Sequence, residues 1–455
     1  MSEPEAGSRW WLPDVAMAAA CVTLFYCLFL FQGYKQLFRD SDAGWHIRNG
    51  EAIFATSTLP RTDPYSFTRG GQSWFAWEWL SDVATGLLHR WGGLNAVALF
   101  YAAAISAGVW LWFRLHWALG GNFLVACAMA PLLLSTCNIH WLARPHVLGW
   151  LFLLWAMFPR TGLVETGVMT ALWANIHPSF FFALLRGAGS RPAQFLKTAA
   201  VVAVVPLLNP YGPALYVHVW RYLTDTELLS RIGEFQSFDF HAEGAGQIII
   251  TVILGMIGGT LALTQKRYSH FAIAVIITAM ALRSARALPL CALLLLPIAN
   301  AAIAPYCTRF AQYAANLRAL DARCSGLWLA PVVLCAAWFA MPKAGFPADQ
   351  FPVAAYPHIP AGARLFAPDK YGGYLIYRSA GGMKVFFDGR SDLYGAEFLK
   401  EYARMTQVRP GWQEIWNKYQ FTHALMPNDY PLVAALEQLG WRVMYRDGTS
   451  TLLAR

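Results

Sequence analysis

The sequence predicts a mostly α-helical, polytopic transmembrane bundle with a small C-terminal α/β soluble domain, and three observations predict it. Of 455 residues, 57% are hydrophobic and only 13% charged, against about 25% charged in soluble domains. Apolar runs long enough to cross a bilayer recur along the chain, about 10 to 11 of them. The acids are swept to the two ends, with nine of 26 before residue 91 and ten after residue 342.

Taken in order, the first run, residues 10–31, is too long for a signal-peptide core and lacks a small-residue cleavage site. It reads as a retained span with the N-terminus cytoplasmic, although the charges there (Glu3, Glu5, Arg9, Asp14) are mixed. Further spans are expected near 94–113, 121–138, 145–158, 163–176, 178–185, 196–209, 246–264, 269–282, 287–304 and 327–341. The segment 178–185 is too short to cross alone. Alternation from inside places Arg114, Arg160, Arg186, Arg191, Lys197, Lys266, Arg267, Arg309, Arg318 and Arg323 on the cytoplasmic side, as the positive-inside rule requires.

Residues 1–342 thus form the membrane part, with a first outer loop at 33–93. Within it WFAWEWLSDVATGLLHRW has the apolar spacing of an interfacial helix. Residues 343–455 form the soluble part, on the outer face. Runs such as YLIY, KVFF and THALM read as strands, and AEFLKEYARM and PLVAALEQLG as helices. The net charge of +9 is scattered between apolar runs, which excludes a nucleic-acid surface. Eight cysteines in or near apolar segments give no disulfide framework and no cysteine zinc site.

The same alternation gathers every unusual polar cluster on the outer face. RDSDAGWHIRNG (39–50) brings Asp40 and Asp42 just past the first span, beside His46. Carboxylates there can accept a proton from a nucleophile or hold a cation, and a low-dielectric neighbourhood tunes their pKa. LPRTDPYSFTRGGQSWFAWEWLSD (59–82) adds Asp63 and Glu78, the latter between two tryptophans. Later spans end in His140, Arg144 and His146, in His177, and in Arg283 and Arg286. The arginine fork matches phosphate oxygens, and ionisable groups at a membrane boundary are costly unless they have work to do. NPYG (209–212) reads as a membrane-exit turn and Glu234 as more structural than functional. FFDGRSDLYG (386–395) reads as a tight turn with a local salt bridge.

An aspartate-bearing outer loop after the first span, many spans, outer-face arginines and a C-terminal soluble domain together resemble the C-type (GT-C fold) glycosyltransferases. SDAGWHIRNG, PRTDPYSFT, WEWLSD, NPYG and FDGRSDLYG look like a bacterial, uncharacterised branch of that superfamily. The resemblance implies a GT-C bundle in the bacterial inner membrane. It would take a sugar from a polyprenyl-phosphate carrier and pass it to a glycan, lipid or protein acceptor. It casts Asp42 as the activating aspartate and Asp40 as its neighbour. Arg144, His146, Arg283 and Arg286 would meet the carrier phosphate, and the residues' own chemistry adds His46, Glu78 and His177 as candidate substrate contacts. A divalent cation, magnesium or manganese, would be held by Asp40 and Asp42 if one is used. The competing readings are a non-catalytic envelope polysaccharide-binding or assembly protein, and a transporter with ionisable groups along a midplane path.

Overall fold

The computed structural model describes residues 9–159 and 162–455. Arg160, Glu3 and Glu5, assigned above to the cytoplasmic side, lie outside the described residues.

Among the described residues, four helices are long and apolar enough to cross a membrane: Val15–Gln36, Trp79–Ala118, Ala245–Thr264 and Ala285–Tyr306. Five shorter apolar helices accompany them: Phe123–Asn138, Pro145–Ala156, Pro192–Leu208, Tyr268–Arg283 and Leu329–Ala340. Ala285–Tyr306 is the axis of the bundle, with 89% of its apolar window buried in protein. The outer helices instead leave Val22, Phe25, Ile253, Met256, Val275 and Ile276 exposed. That apolar surface suits lipid and would aggregate in water.

Local chemistry sets the ends of these helices. Asp14 caps the first, accepting from the Met17 amide at 2.8 Å, and takes Arg114 at 2.6 Å. This pair, with Arg318 on Asp321 at 2.9 Å, closes the end of the bundle remote from residues 40 and 144. The helix Trp79–Ala118 has 40 residues, about 60 Å at 1.5 Å per residue, twice a bilayer core. It breaks at Gly92 and Gly93, where Gly93 takes φ +62°. The part before the break carries Asp82 and follows directly on Glu78; the part after it is the span.

Three expectations are corrected. The stretch Asp42–Thr56, read as a loop, is an α-helix packed against Trp79–Ala118 and Asp369–Arg378. Residues 178–185 belong to a 3-10 run, Pro178–Gly187, opened by Pro178 with the His177 side chain accepting from the Ser179 amide. YLIY lies in the helix Asp369–Arg378, and KVFF stays outside the sheet, with Val385 making an isolated bridge to Ser66.

The C-terminal sheet has the order Leu365–Phe366, His423–Pro427, Ser450–Ala454, Arg442–Arg446. The first pair is parallel and the others antiparallel. Strand side chains alternate between faces, and here both faces are covered. Phe366, Ala424, Met426 and Leu453 pack into an aromatic core with Phe386, Phe398, Trp416 and Phe421. Leu365, Leu425 and Leu452 turn the other way, to Tyr371 and the core shared with the bundle. The sheet is thereby fixed to the helix Asp369–Arg378, which approaches Asp42–Thr56 backbone to backbone. A Cβ on Gly44 would lie 2.2 Å from the Gly373 carbonyl oxygen, and one on Gly373 would lie 2.1 Å from that of Ser41.

Candidate functional site

One cavity of about 520 Å³ opens where these elements meet. Its polar wall carries Asp42, Glu78, Asp82, Arg144, His177 and Arg286, and its apolar wall Trp150, Leu153, Phe181, Leu223, Met280 and Leu290. Phe181 and Leu223 are also exposed, so the apolar wall reaches the outer surface of the protein.

Residues 138–146 are pinned first. The Arg39 guanidinium donates to the carbonyl oxygens of Gln36, Asn138, Ile139 and Trp141 at 2.7–3.1 Å, and the Ala143 amide donates to Leu37. Pro145 then starts a helix, a position that suits its fixed φ. Arg144 is left facing three carboxylates: Asp40 at 2.7 Å, Asp42 at 2.8 Å and Glu234 at 3.0 Å. Arg286 holds the second oxygen of Glu234 at 3.1 Å.

The charge states follow from this sharing. Burial pushes the Asp42 carboxyl up, and Asp40 and Glu234 push it further, while Arg144 opposes them; the result is about 7. One guanidinium divided among three carboxylates cannot hold all of them down. Burial would raise Glu234 too, but Arg144 and Arg286 together hold it at about 2. Burial alone would favour a neutral Arg144; Asp40, Asp42 and Glu234 outweigh it and keep the guanidinium charged.

Glu78 has a different setting. It precedes the helix Trp79–Ala118, and Trp79 donates to Asn175 at 2.8 Å, which in turn accepts from Asn209 at 3.1 Å. The Ala76 amide donates to the Tyr211 hydroxyl at 3.0 Å, and Tyr211 stacks on Phe75 at 3.8 Å. NIHPS and NPYG thus set the position of the segment 75–79. The Glu78 carboxylate meets no hydrogen-bond partner among the described residues. It stands 3.8 Å from His46 Nε2 and 3.6 Å from His177 Nε2. His46 Nδ1 contacts Asp82 at 2.6 Å, and Asn49 donates to the other Asp82 oxygen at 2.6 Å. Burial, with Asp82 adding to it, raises the Glu78 carboxyl to about 7 despite His46 and Arg144, while burial lowers His46 to about 3.

A raised carboxyl has a testable cost. Its contribution to stability is largest below 4.5 and is lost as pH rises through about 7. The difference corresponds to about 3 kcal/mol at most. Glu78→Gln, which cannot ionise, is therefore expected to melt close to wild type at pH 5 and a few degrees above it at pH 8. Equal melting differences at both pH values would contradict a buried, unpaired Glu78.

The FDGRSD segment closes the cavity. Arg390 is buried between Asp388 (2.7 Å) and Asp63 (2.8 Å), and Tyr394 donates to Asp388 at 2.8 Å. The local salt bridge expected here exists and extends to the first outer loop. It presses Gly389 against the site: a Cβ there would lie 2.0 Å from Asp42 Oδ1.

Of the residues singled out from sequence, Asp42, Glu78, Arg144, His146, His177, Arg283 and Arg286 line this one cavity. Asp40 reaches it through Arg144. His46 lies behind Glu78, 1% exposed. His146 gives its Nε2 to the His140 carbonyl at 2.8 Å. Arg283 is exposed, with no ion pair among the described residues. Sequence reasoning missed Asp82, Asn49 and Gly389 and rated Glu234 as mainly structural. The spacing of Glu78 and Asp82, and of His46 and Asn49, one helical turn apart, was the available signal for the pair behind Glu78. The donors present do not make a divalent-cation site, because Asp40, Asp42 and Glu234 already face Arg144. Among the described residues no group of three or more His, Cys, Asp or Glu is placed to hold a metal ion.

No protein-family model and no curated protein matches the chain. Among solved structures it is similar to the crystal structure of the Archaeoglobus fulgidus oligosaccharyltransferase in the apo form. The TM-score is 0.51 at 11% identity, over 90% of this chain and 69% of that one. At that identity the likeness speaks of architecture: the chain has a mostly helical membrane fold of GT-C type with a small C-terminal α/β region.

Proposed function

We propose that the protein is an integral membrane glycosyltransferase. It moves a sugar from a polyprenyl-phosphate carrier to a glycan, lipid or protein acceptor, at the outer face of a bacterial inner membrane, with its N-terminus cytoplasmic. The observation that carries this reading is the two-sided cavity. Its apolar wall opens to the surface at Phe181 and Leu223 and suits a polyprenyl chain, while arginines and carboxylates face it. Likeness to an oligosaccharyltransferase supports glycosyl transfer as the class of reaction.

The proposed step is an in-line displacement with inversion. The acceptor oxygen forms a bond to the anomeric carbon as the bond from that carbon to the carrier phosphate oxygen breaks. Asp42 takes the acceptor's proton, and a carboxyl poised near 7 suits that task. The leaving phosphate keeps the bond's electron pair and is met by Arg283 and Arg286, with Arg144 behind them. A phosphate on these guanidiniums competes with Asp42 for Arg144, so carrier binding itself loosens the Asp42 ion pair.

In a deletion strain, mass spectrometry of lipid carriers and envelope glycans is expected to show polyprenyl-phosphate sugar accumulating and one glycan substituent missing. Unchanged carriers and glycans would refute the proposal. Gly389→Ala tests the geometry: with its Cβ in the place of Asp42 Oδ1, transfer is expected to fall about 100-fold while the protein still inserts and folds. Transfer at the wild-type rate would show that the position of Asp42 is not critical.

A further inference from the structure

Among the described residues, the buried ring nitrogens Trp45 Nε1, His46 Nε2 and His177 Nε2 have no hydrogen-bond partner, and the two histidine atoms stand beside Glu78. Native proteins leave few such atoms, and each points to a missing partner. The His177 tautomer can be read from its neighbours. The Ser179 amide donates to His177 Nδ1 at 3.2 Å, and the Ser179 hydroxyl lies 2.7 Å from the same nitrogen; with Nδ1 accepting, the ring proton sits on Nε2 and faces Glu78. Asp82 engages His46 Nδ1 at 2.6 Å, so His46 turns its Nε2 towards the far side of Glu78. Glu78 therefore has the His177 donor at 3.6 Å and the His46 ring at 3.8 Å, both too far for a direct hydrogen bond. A single oxygen placed beside them can lie at ordinary distance from both His177 Nε2 and the Glu78 carboxylate.

From this geometry we propose that Glu78 and His177, backed by His46 and Asp82, form a subsite for a sugar hydroxyl. The hydroxyl oxygen accepts from His177 Nε2, and its hydrogen goes to Glu78. A hydroxyl fits because it donates and accepts at one atom. A carboxylate or phosphate ligand, having no proton, could not donate to Glu78, and neither could a methyl or methoxy group. Trp45 and Trp77 also line the cavity and offer the aromatic surface on which the apolar face of a pyranose packs. The inference deepens the glycosyltransferase reading and rests on it for the presence of a sugar, which belongs to either the transferred unit or the acceptor.

The test is saturation-transfer NMR on the purified full chain in detergent, with methyl α-D-gluco-, manno- and galactopyranoside. Wild type is expected to bind at least one saturably, with a Kd on the order of 1–10 mM. Glu78→Gln and His177→Asn are each expected to weaken that binding about tenfold. Asn at 177 keeps an acceptor for the Ser179 amide, so the local turn survives and folding can be checked by melting temperature. Displacement of the glycoside by a short polyprenyl-phosphate hexose assigns the hydroxyl to the donor, and simultaneous binding assigns it to the acceptor. Either arm supports the subsite. No binding to wild type, or equal binding by folded variants, overturns it. Intact glycoside binding without any transfer would sink only the proposed function, whereas transfer without glycoside dependence on Glu78 would sink only the subsite.

Discussion

Asp42→Asn is expected to lower sugar transfer about 1,000-fold, the scale of a lost general base, while leaving membrane insertion and folding intact. The Asn side chain keeps the shape against Gly389, and Arg144 retains Asp40 and Glu234, so the stability change should stay within about 1 kcal/mol. The pH profile supplies the independent readout. A base must be deprotonated to act, and burial places Asp42 at about 7. Wild-type transfer should therefore reach half its plateau near pH 7 and fall about tenfold per pH unit below it. A profile flat down to pH 5, or wild-type transfer by the Asp42→Asn protein, would remove Asp42 from the reaction.

Arg144→Ala should do more damage to the whole molecule. It leaves Asp40, Asp42 and Glu234 crowded together, with only Arg286 remaining against Glu234. Breaking a buried ion pair from one side costs about 3–5 kcal/mol, most of it the uncompensated charge left behind. Without the cation the cluster takes up protons that the unfolded chain would not hold. The deficit must therefore grow as pH rises, and the melting temperature should drop further at pH 8 than at pH 5. Transfer should be lost at both. Arg144→Lys is expected to recover part of the stability and little activity, because a point charge cannot fork between Asp42 on one side and Asp40 with Glu234 on the other. An Arg144→Ala protein as stable as wild type at pH 8 would contradict the shared-cation account of the site.

Hydropathy made the spans legible, and alternation brought Asp42, Arg144, His177 and Arg286 to one side, where the structure has them around one cavity. The helix Asp42–Thr56 escaped because its buried surface includes polar side chains. Asp42, His46 and Asn49 follow one another at helical spacing, and all are buried, so a rule that equates polar with exposed reads them as loop. Glu234 reads as structural in sequence because its partners, Arg144 and Arg286, are remote along the chain, and a single chain does not disclose such pairs. YLIY reads as a strand because the glycines before it, Gly372 and Gly373, hide the helical face on which the backbone itself makes the contact. Asp40 and Asp42 suggest a cation when read in sequence for the same reason that Glu234 reads as structural: the guanidinium that meets them comes from residue 144.

The most direct test is transfer itself with the purified chain in liposomes, a polyprenyl-phosphate hexose labelled in the sugar, and envelope glycan as acceptor. The account predicts release of unlabelled polyprenyl phosphate in step with label appearing on the acceptor with inverted anomeric configuration, both abolished by Asp42→Asn. Label that stays on the carrier while the wild-type protein is folded and the acceptor is present, or transfer with retained configuration, would contradict it.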